Sequence, residues 1–275
     1  MPLRTFHLLP HKALQPYIDR LWGWETSADE VVALPTVLPG TGAELFFHYR
    51  TPFRRIAADR SVEPMSQMHL LCVRSAPVEL VPSADIGFIA VRFRAGALHR
   101  FTGMPGGELI DTPCSAADIW GEQGKSLSAR LGDAASKHQR ATLLQSFLYE
   151  RLMTRQSDPL VEVAVSLLYR DCAVLPIERL AEHMRIGRRQ LERRFVAMTG
   201  QTPVEVRRVA RFQKTVRTLL LDPSSNMADA ALTQGYYDQA HFIRDFRTLV
   251  STSPQRYLQA ARMKTHFYNT PRQTP

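Results

Sequence analysis

One succession of helix signals occurs twice in this chain of 275 residues. Pro176 opens a short amphipathic helix with Ile177, Leu180, Ala181 and Met184 at i, i+3, i+4 and i+7. A four-residue turn around Gly187 leads into a basic helix, Arg188 to Thr199, with Leu191, Phe195 and Met198 inward and Gly200 at its end. Thr202-Pro203 then starts the next helix. The order returns as Met227 to Gln234, Gly235, a helix capped by Asp238 with Phe242, Phe246 and Leu249 inward, and Ser253-Pro254. Leu191-x-x-x-Phe195 matches Phe242-x-x-x-Phe246, and Arg193 and Arg244 both stand two residues before the second aromatic. Each unit reads as a helix-turn-helix, in which a first helix braces a second that fits a DNA major groove. A long helix from Pro203 to about Leu221 joins the units and stops at Asp222-Pro223.

Charge singles out the same half of the chain. Residues 1–157 hold 17 Lys+Arg against 15 Asp+Glu, a net of +2, whereas residues 158–275 hold 18 against 11, a net of +7. Between Arg179 and Arg217 eleven basic residues face three acidic ones, Glu182, Glu192 and Glu205. That density suits a surface that neutralises phosphates, and arginine, which dominates it, forks onto phosphates and guanine edges. A solvated basic face is the plainer reading of charge alone.

The first ~110 residues alternate apolar and polar positions in short runs broken by Pro and Gly, the period of strands. Arg20 to Thr26, Ala43 to Tyr49, Val78 to Val81 and Gly87 to Arg94 are examples; in the last, Ile89, Val91 and Phe93 share one face and Arg92 and Arg94 the other. Such strands predict a small barrel or sandwich. Two helices follow, one with Leu127 and Leu131 on a face, the other with the stripe Leu144, Leu148 and Leu152 flanked by Leu143 and Phe147. That stripe serves either a homodimer interface or packing onto the barrel. Gln156-Ser157-Asp158-Pro159 is the expected boundary, with Asp158 capping a helix over Leu160 to Tyr169. The expected fold class is α+β: residues 1–157 a β-barrel with helices, for sensing or dimerisation, and residues 158–275 an all-α domain with two helix-turn-helix units.

No catalytic constellation is found: G-x-S-x-G and H-E-x-x-H are absent, and Gly103 to Gly107 is not a nucleotide loop. Glu44 and His48 point to one side of a strand, but with His69 they form no patterned metal set, and no metal or cofactor is assigned. Cys72, Cys114 and Cys172 are odd in number and far apart in sequence, which argues against a disulfide framework and for the reducing cytoplasm. No apolar run is long enough to span a membrane.

The repeat resembles the AraC/XylS family of transcription regulators. The family pattern R-x-L-x-R-x-F followed by G-x-[ST]-P stands here as Arg189-Gln190-Leu191-Glu192-Arg193-Arg194-Phe195 and Gly200-Gln201-Thr202-Pro203. Its downstream signature stands as Gly235-Tyr236-Tyr237-Asp238, then Phe242-Ile243-Arg244-Asp245-Phe246, then Ser253-Pro254-Gln255-Arg256-Tyr257. Four positions depart from it: Gly187 replaces a Ser cap, Val206 an aromatic, Ala230 a bulky aliphatic and Ser251 a Gly, and Ala230 thins the second unit's core. The first half is similar to an uncharacterised sensor-type domain found ahead of some of these regulators. Leu14 to Trp24, Leu38-Pro39-Gly40, Gly42 to Leu45 and Val91 to Gly96 carry that likeness, which implies a cupin-like barrel.

The resemblance implies a sequence-specific DNA-binding regulator with double-stranded DNA as partner, RNA polymerase as a further one, and a small-molecule effector of unknown identity. Arg189, Glu192 and Arg193 in the first unit, and Gln239, Ala240 and Arg244 in the second, match positions that reach base edges. Arginine suits guanine, glutamate a cytosine amino group, glutamine adenine and alanine a thymine methyl. A phosphate clamp for Arg193 and an intrahelical ion pair for Glu192 are the alternatives. Arg188, Arg194, Arg207, Arg208 and Arg247 are expected on phosphates or in solvent. An enzyme with a metal-binding cupin-like domain, targeted to DNA by the basic half, is the alternative from another class.

Overall fold

The four inner strands of the first half pair antiparallel because their central residues are apolar on both faces and each face meets a cover. The computed structural model describes residues 3–111, 113–154 and 158–262. Its strands are β1 (Arg4–Leu8), β2 (Ile18–Glu25), β3 (Glu44–His48), β4 (Arg54–Ile56), β5 (Val62–Pro64), β6 (Met68–Leu71), β7 (Gly87–Phe93) and β8 (Cys114–Ser115). Six form one sheet in the order β1-β2-β7-β3-β6-β8, and β4 and β5 form a separate hairpin. The sheet is mixed with helices but open, so the expected closed barrel is corrected. Its last strand has two residues and gives way at once to a helix whose start is closed by the Ser115–Asp118 capping box, which leaves no length to reach β1. Val78 to Val81, expected as a strand, makes isolated bridges to Val37 and Arg55, its run being cut short by Pro77 and Pro82.

Helices α1 (His99–Thr102), α2 (Ala116–Trp120), α3 (Glu122–Asp133) and α4 (Lys137–Thr154) cover one face of the sheet. Leu127, Leu131, Leu144, Leu148 and Leu152 pack there with Leu21, Leu45, Leu70, Ile89 and Val91. The leucine stripe of α4 is therefore spent on its own sheet, with Leu148 wholly buried. The other face carries Trp22, Trp24, Phe46, Phe88 and Ala90, closed over by Phe53, Met65 and Leu80 from the connecting loops. Cys72, just past β6, and Cys114 of β8, far apart in sequence, come together as free thiols whose pKa burial raises.

Beyond the expected boundary, whose Gln156 and Ser157 lie outside the described residues, seven helices follow among the residues described: α5 (Pro159–Arg170), α6 (Ile177–His183), α7 (Arg188–Thr199), α8 (Pro203–Leu221), α9 (Met227–Thr233), α10 (Gln239–Val250) and α11 (Pro254–Arg262). Two cores divide them. Val161, Val165 and Leu168 of α5, Ile177 and Leu180 of α6, and Leu191 and Phe195 of α7 make the first, which also takes Val206 from the start of α8. Phe212, Val216 and Leu219 from the rest of α8 join Ala231, Phe242, Phe246 and Leu258 in the second. The long helix thus spans both, its start fixed by the Thr202–Glu205 capping box with Pro203 at the first turn.

The two halves meet closely. Leu38, from the loop between β2 and β3, belongs to the second helical core, and the Thr41 hydroxyl bonds Gln213 of α8 at 3.4 Å. The Arg74 guanidinium braces this loop through the Leu38 and Cys72 carbonyls at 3.2 and 2.9 Å. At a second point the 3-10 turn Gly106–Leu109 lies against the end of α7, where a Cβ on Gly106 would sit 2.2 Å from the Gly200 nitrogen. Only two glycines allow the backbones this approach.

Candidate nucleic-acid interface

Helix α7 buries Leu191, Phe195 and Met198, so its opposite face, Arg189, Arg193 and Val196, turns outward. Helix α10 does the same: Phe242, Phe246 and Leu249 point inward, and Ala240, Arg244 and Arg247 lie exposed at the corresponding register. The two helices are terminated by different means. Gly200 closes α7 in the left-handed region at φ +73°, whereas Ser251 must adopt φ +59° to close α10. Gly187 is not the left-handed residue of the first turn. It holds an extended backbone at the start of α7, without a side chain to cap it, and Arg185 takes the positive φ of +54°. In the second unit Gly235 takes that conformation at φ +82°, and the Asp238 carboxylate caps α10 by accepting the His241 N–H at 2.6 Å.

The arginines singled out from the sequence separate into two groups. Arg194 forks onto Asp158, the cap of α5, and holds that carboxyl below its ordinary range. Arg208 pairs with the buried Asp245, which also accepts the Tyr236 hydroxyl at 2.8 Å; burial and that carboxylate raise the phenol's pKa. Arg207 donates to the Cys172 carbonyl at 2.9 Å. These three tie α7 to the start of α5, and α8 to α10 and to the turn after α5. Arg188 reaches Glu178 at 2.6 Å and Glu192 at 3.0 Å, so Glu192 makes the intrahelical ion pair. Among the described residues, by contrast, the side chains of Arg189, Arg193, Arg244 and Arg247 take part in no ion pair, and all four are exposed. Gln239 touches Met227 at 3.7 Å and is otherwise open, as is Ala240.

The outward faces of α7 and α10 thus present unengaged guanidiniums at matched positions, each on a helix anchored by its buried apolar face. Residues 180–260 match the profile of a helix-turn-helix domain, and residues 6–115 match a domain family of unknown function. Residues 180–260 are an AraC-type helix-turn-helix domain. No curated protein matches the chain. Among solved structures, an AraC-type transcriptional regulator from Chromobacterium violaceum is 27% identical over 39% of this chain and 96% of its own, with a TM-score of 0.36. The DNA-binding domain of AdpA, a global transcriptional factor in complex with a target DNA, is 28% identical over 39% of this chain and 96% of its own, at 0.35. ToxT from Vibrio cholerae is 10% identical over 94% and 97%, at 0.48.

The chemistry of the other half is less polar. Glu44 pairs with Arg92 at 3.4 Å, while His48 and His69 stack inside the aromatic cluster. No group of three metal-ligating side chains occurs among the described residues, and no described helix is long and apolar enough to cross a membrane. Sequence reasoning missed one site altogether. Arg20, Arg92 and Arg217 are distant in sequence, yet they line one cavity between the sheet and α8.

Proposed function

We propose that the chain is a sequence-specific transcription regulator of double-stranded DNA, acting in the cytoplasm, in which α6–α7 and α9–α10 are two helix-turn-helix units. Arg189 and Arg193 read bases in one major-groove segment, and Gln239, Ala240 and Arg244 read them in the next. Arg247 and Arg188 hold phosphates. Residues 1–157 form the sensing domain and residues 158–275 the DNA-binding one, with a small-molecule effector acting across their seam. The observation that carries this reading is the matched exposure of Arg193 and Arg244. Four arginines without an ion pair on two outward helix faces are a poor use of charge unless phosphates or base edges meet them.

Helix α8 has 19 residues and so a length of ~28 Å. With the widths of the units added, this approaches the ~34 Å between successive major-groove faces on one side of the duplex. Selection of bound sequences is therefore expected to give two base clusters about one helical turn apart. Arg193→Ala relaxes one cluster and Arg244→Ala the other, each by ~1–3 kcal/mol where the contact is bidentate. Relaxation of the same positions by both variants, or uniform weakening without any change of preferred sequence, would refute the reading.

A further inference from the structure

A cavity of about 640 Å³ lies not inside the sheet, which aromatic side chains fill, but at the seam with the helical half. Its volume is in the range of small-molecule sites, ~300–1,000 Å³. Strands β2 and β7 supply one wall, and α5 and α8 the other. Its charge is one-sided: six cationic side chains line it against two carboxylates, Asp19 and Glu162. Both acids have cationic neighbours, Asp19 in Arg94 at 3.8 Å and Glu162 in Arg100 at 3.7 Å.

The sequence crowds cations here from three separate elements. Arg20 on β2 and Arg92 on β7 are cross-strand partners, so their side chains emerge side by side on the same face. Arg217 approaches from α8, one helical turn beyond Gln213 and next to Lys214 on the cavity side. Burial, with Arg92 and then Arg217 nearby, brings Arg20 down to about 10. Like charges directly opposite on a strand pair destabilise a sheet; Glu44 pairs with Arg92 at 3.4 Å, and the Glu44 and Asp19 carboxylates offset part of the repulsion on Arg20. Tyr17, Phe93 and Val163 add apolar surface to the lining, beside the polar Thr41, Ser166 and Gln213.

We propose that this cavity binds a small organic anion, its acid group held by Arg20, Arg92 and Arg217 and its uncharged body lying against Tyr17, Phe93 and Val163. Guanidiniums converging from two directions suit the planar fork of a carboxylate or the oxygens of a phosphate or sulfonate. A bound anion joins the sheet to α8, the helix that sets the two DNA-reading units apart, and so ties occupancy to their spacing. That consequence rests on the DNA-binding reading above; occupancy itself does not.

The test uses the full chain without DNA and anilinonaphthalene sulfonate as probe, with the uncharged anilinonaphthalene as its control. One saturable sulfonate site per chain is expected, with the neutral ring system bound at least ~10-fold more weakly. Arg20→Met and Arg217→Met each weaken the sulfonate at least ~10-fold and leave the neutral compound unchanged. Should Arg20→Met fail to fold, Arg217→Met and Ser166→Trp decide, since Ser166 is exposed on α5 and a tryptophan there fills the cavity. Arg193→Ala, on the DNA face, binds the probe as wild type does. Equal binding of charged and neutral compounds, or undiminished binding by the arginine and tryptophan variants, overturns the proposal. So does loss of DNA affinity in Arg217→Met when wild type takes up no sulfonate, which assigns these arginines to the DNA backbone. Because the probe is read in the absence of DNA, failure here leaves the DNA-binding reading standing, and failure of that reading leaves this one.

Discussion

His48 and His69 stack 5.3 Å apart, 16° from parallel, inside a cluster of phenylalanines and tryptophans. His69 donates from Nδ1 to the Ser66 carbonyl at 2.8 Å, while its Nε2 and both nitrogens of His48 are buried without a partner among the described residues. Burial holds both rings neutral: His69 is pushed down to about 4, and His48, also disfavoured by a charge on His69, falls well below its ordinary value. In the unfolded chain both titrate near ~6.5. Above that pH neither state binds the proton and the folded state keeps its full stability. As pH falls below ~6.5 the unfolded chain takes up protons that the folded one refuses, and stability declines until about 4. For His69 the loss is on the order of 3 kcal/mol. Urea midpoints at about pH 7 and about pH 5 should therefore differ in wild type and converge in a His48→Phe, His69→Phe variant; an unchanged difference would rule these residues out as its source. The shared strand side of Glu44 and His48 was legible from a period of two. That the end near Glu44 faces a cation-lined cavity and the end near His48 a dry cluster was not, because alternation specifies a face and says nothing about what covers it.

Among elements, legibility followed the range of the interactions. The helix Arg188 to Thr199 was read at the bounds it has, and so was Pro203 to Leu221, because caps, prolines and apolar stripes are local. What a stripe packs against is not local. Leu144, Leu148 and Leu152 fit a dimer interface or an internal core equally well by periodicity, and the structure spends them on the sheet. Strand signals alone likewise did not separate a closed barrel from the open sheet, since closure depends on whether β1 reaches β8. The departure at Ala230 has an element-scale consequence of the same kind. Where a bulky aliphatic is usual, the second core is thinner, and the same cluster takes in Leu38 from the opposite half of the chain. Leu38→Ala should cost ~2–4 kcal/mol and do so locally. Amide exchange should speed up in α9 and α10 while the amides of β3 and β7 keep their protection; equal loss everywhere, or none in α9 and α10, would show that Leu38 does not complete that core.

At the scale of the whole molecule the two helical units are held to one scaffold at separate points. Leu38 and Thr41 engage the second core and α8, and the turn Gly106–Leu109 meets the end of α7. With α7 and α10 both referred to the same half of the chain, their separation is set by the seam as well as by α8. A duplex that moves one cluster by a single base pair rotates it by ~34° and shifts it by ~3.4 Å, more than a packed interface absorbs without cost. Wild type should thus lose at least ~10-fold in affinity when one base pair is inserted between the two clusters. Gly106→Ala, whose methyl group would lie 2.2 Å from the Gly200 nitrogen, must part the turn from α7 and so loosen one of the two points. It should bind the inserted site more nearly as well as the original. Gly187→Ala is the matched control, because an added Cβ there meets nothing within 4 Å and the seam stays closed. Competitive binding to the two duplexes measures the outcome directly. An equal penalty in Gly106→Ala and Gly187→Ala would mean that α8 alone sets the spacing and that the contact at Gly106 plays no part in it.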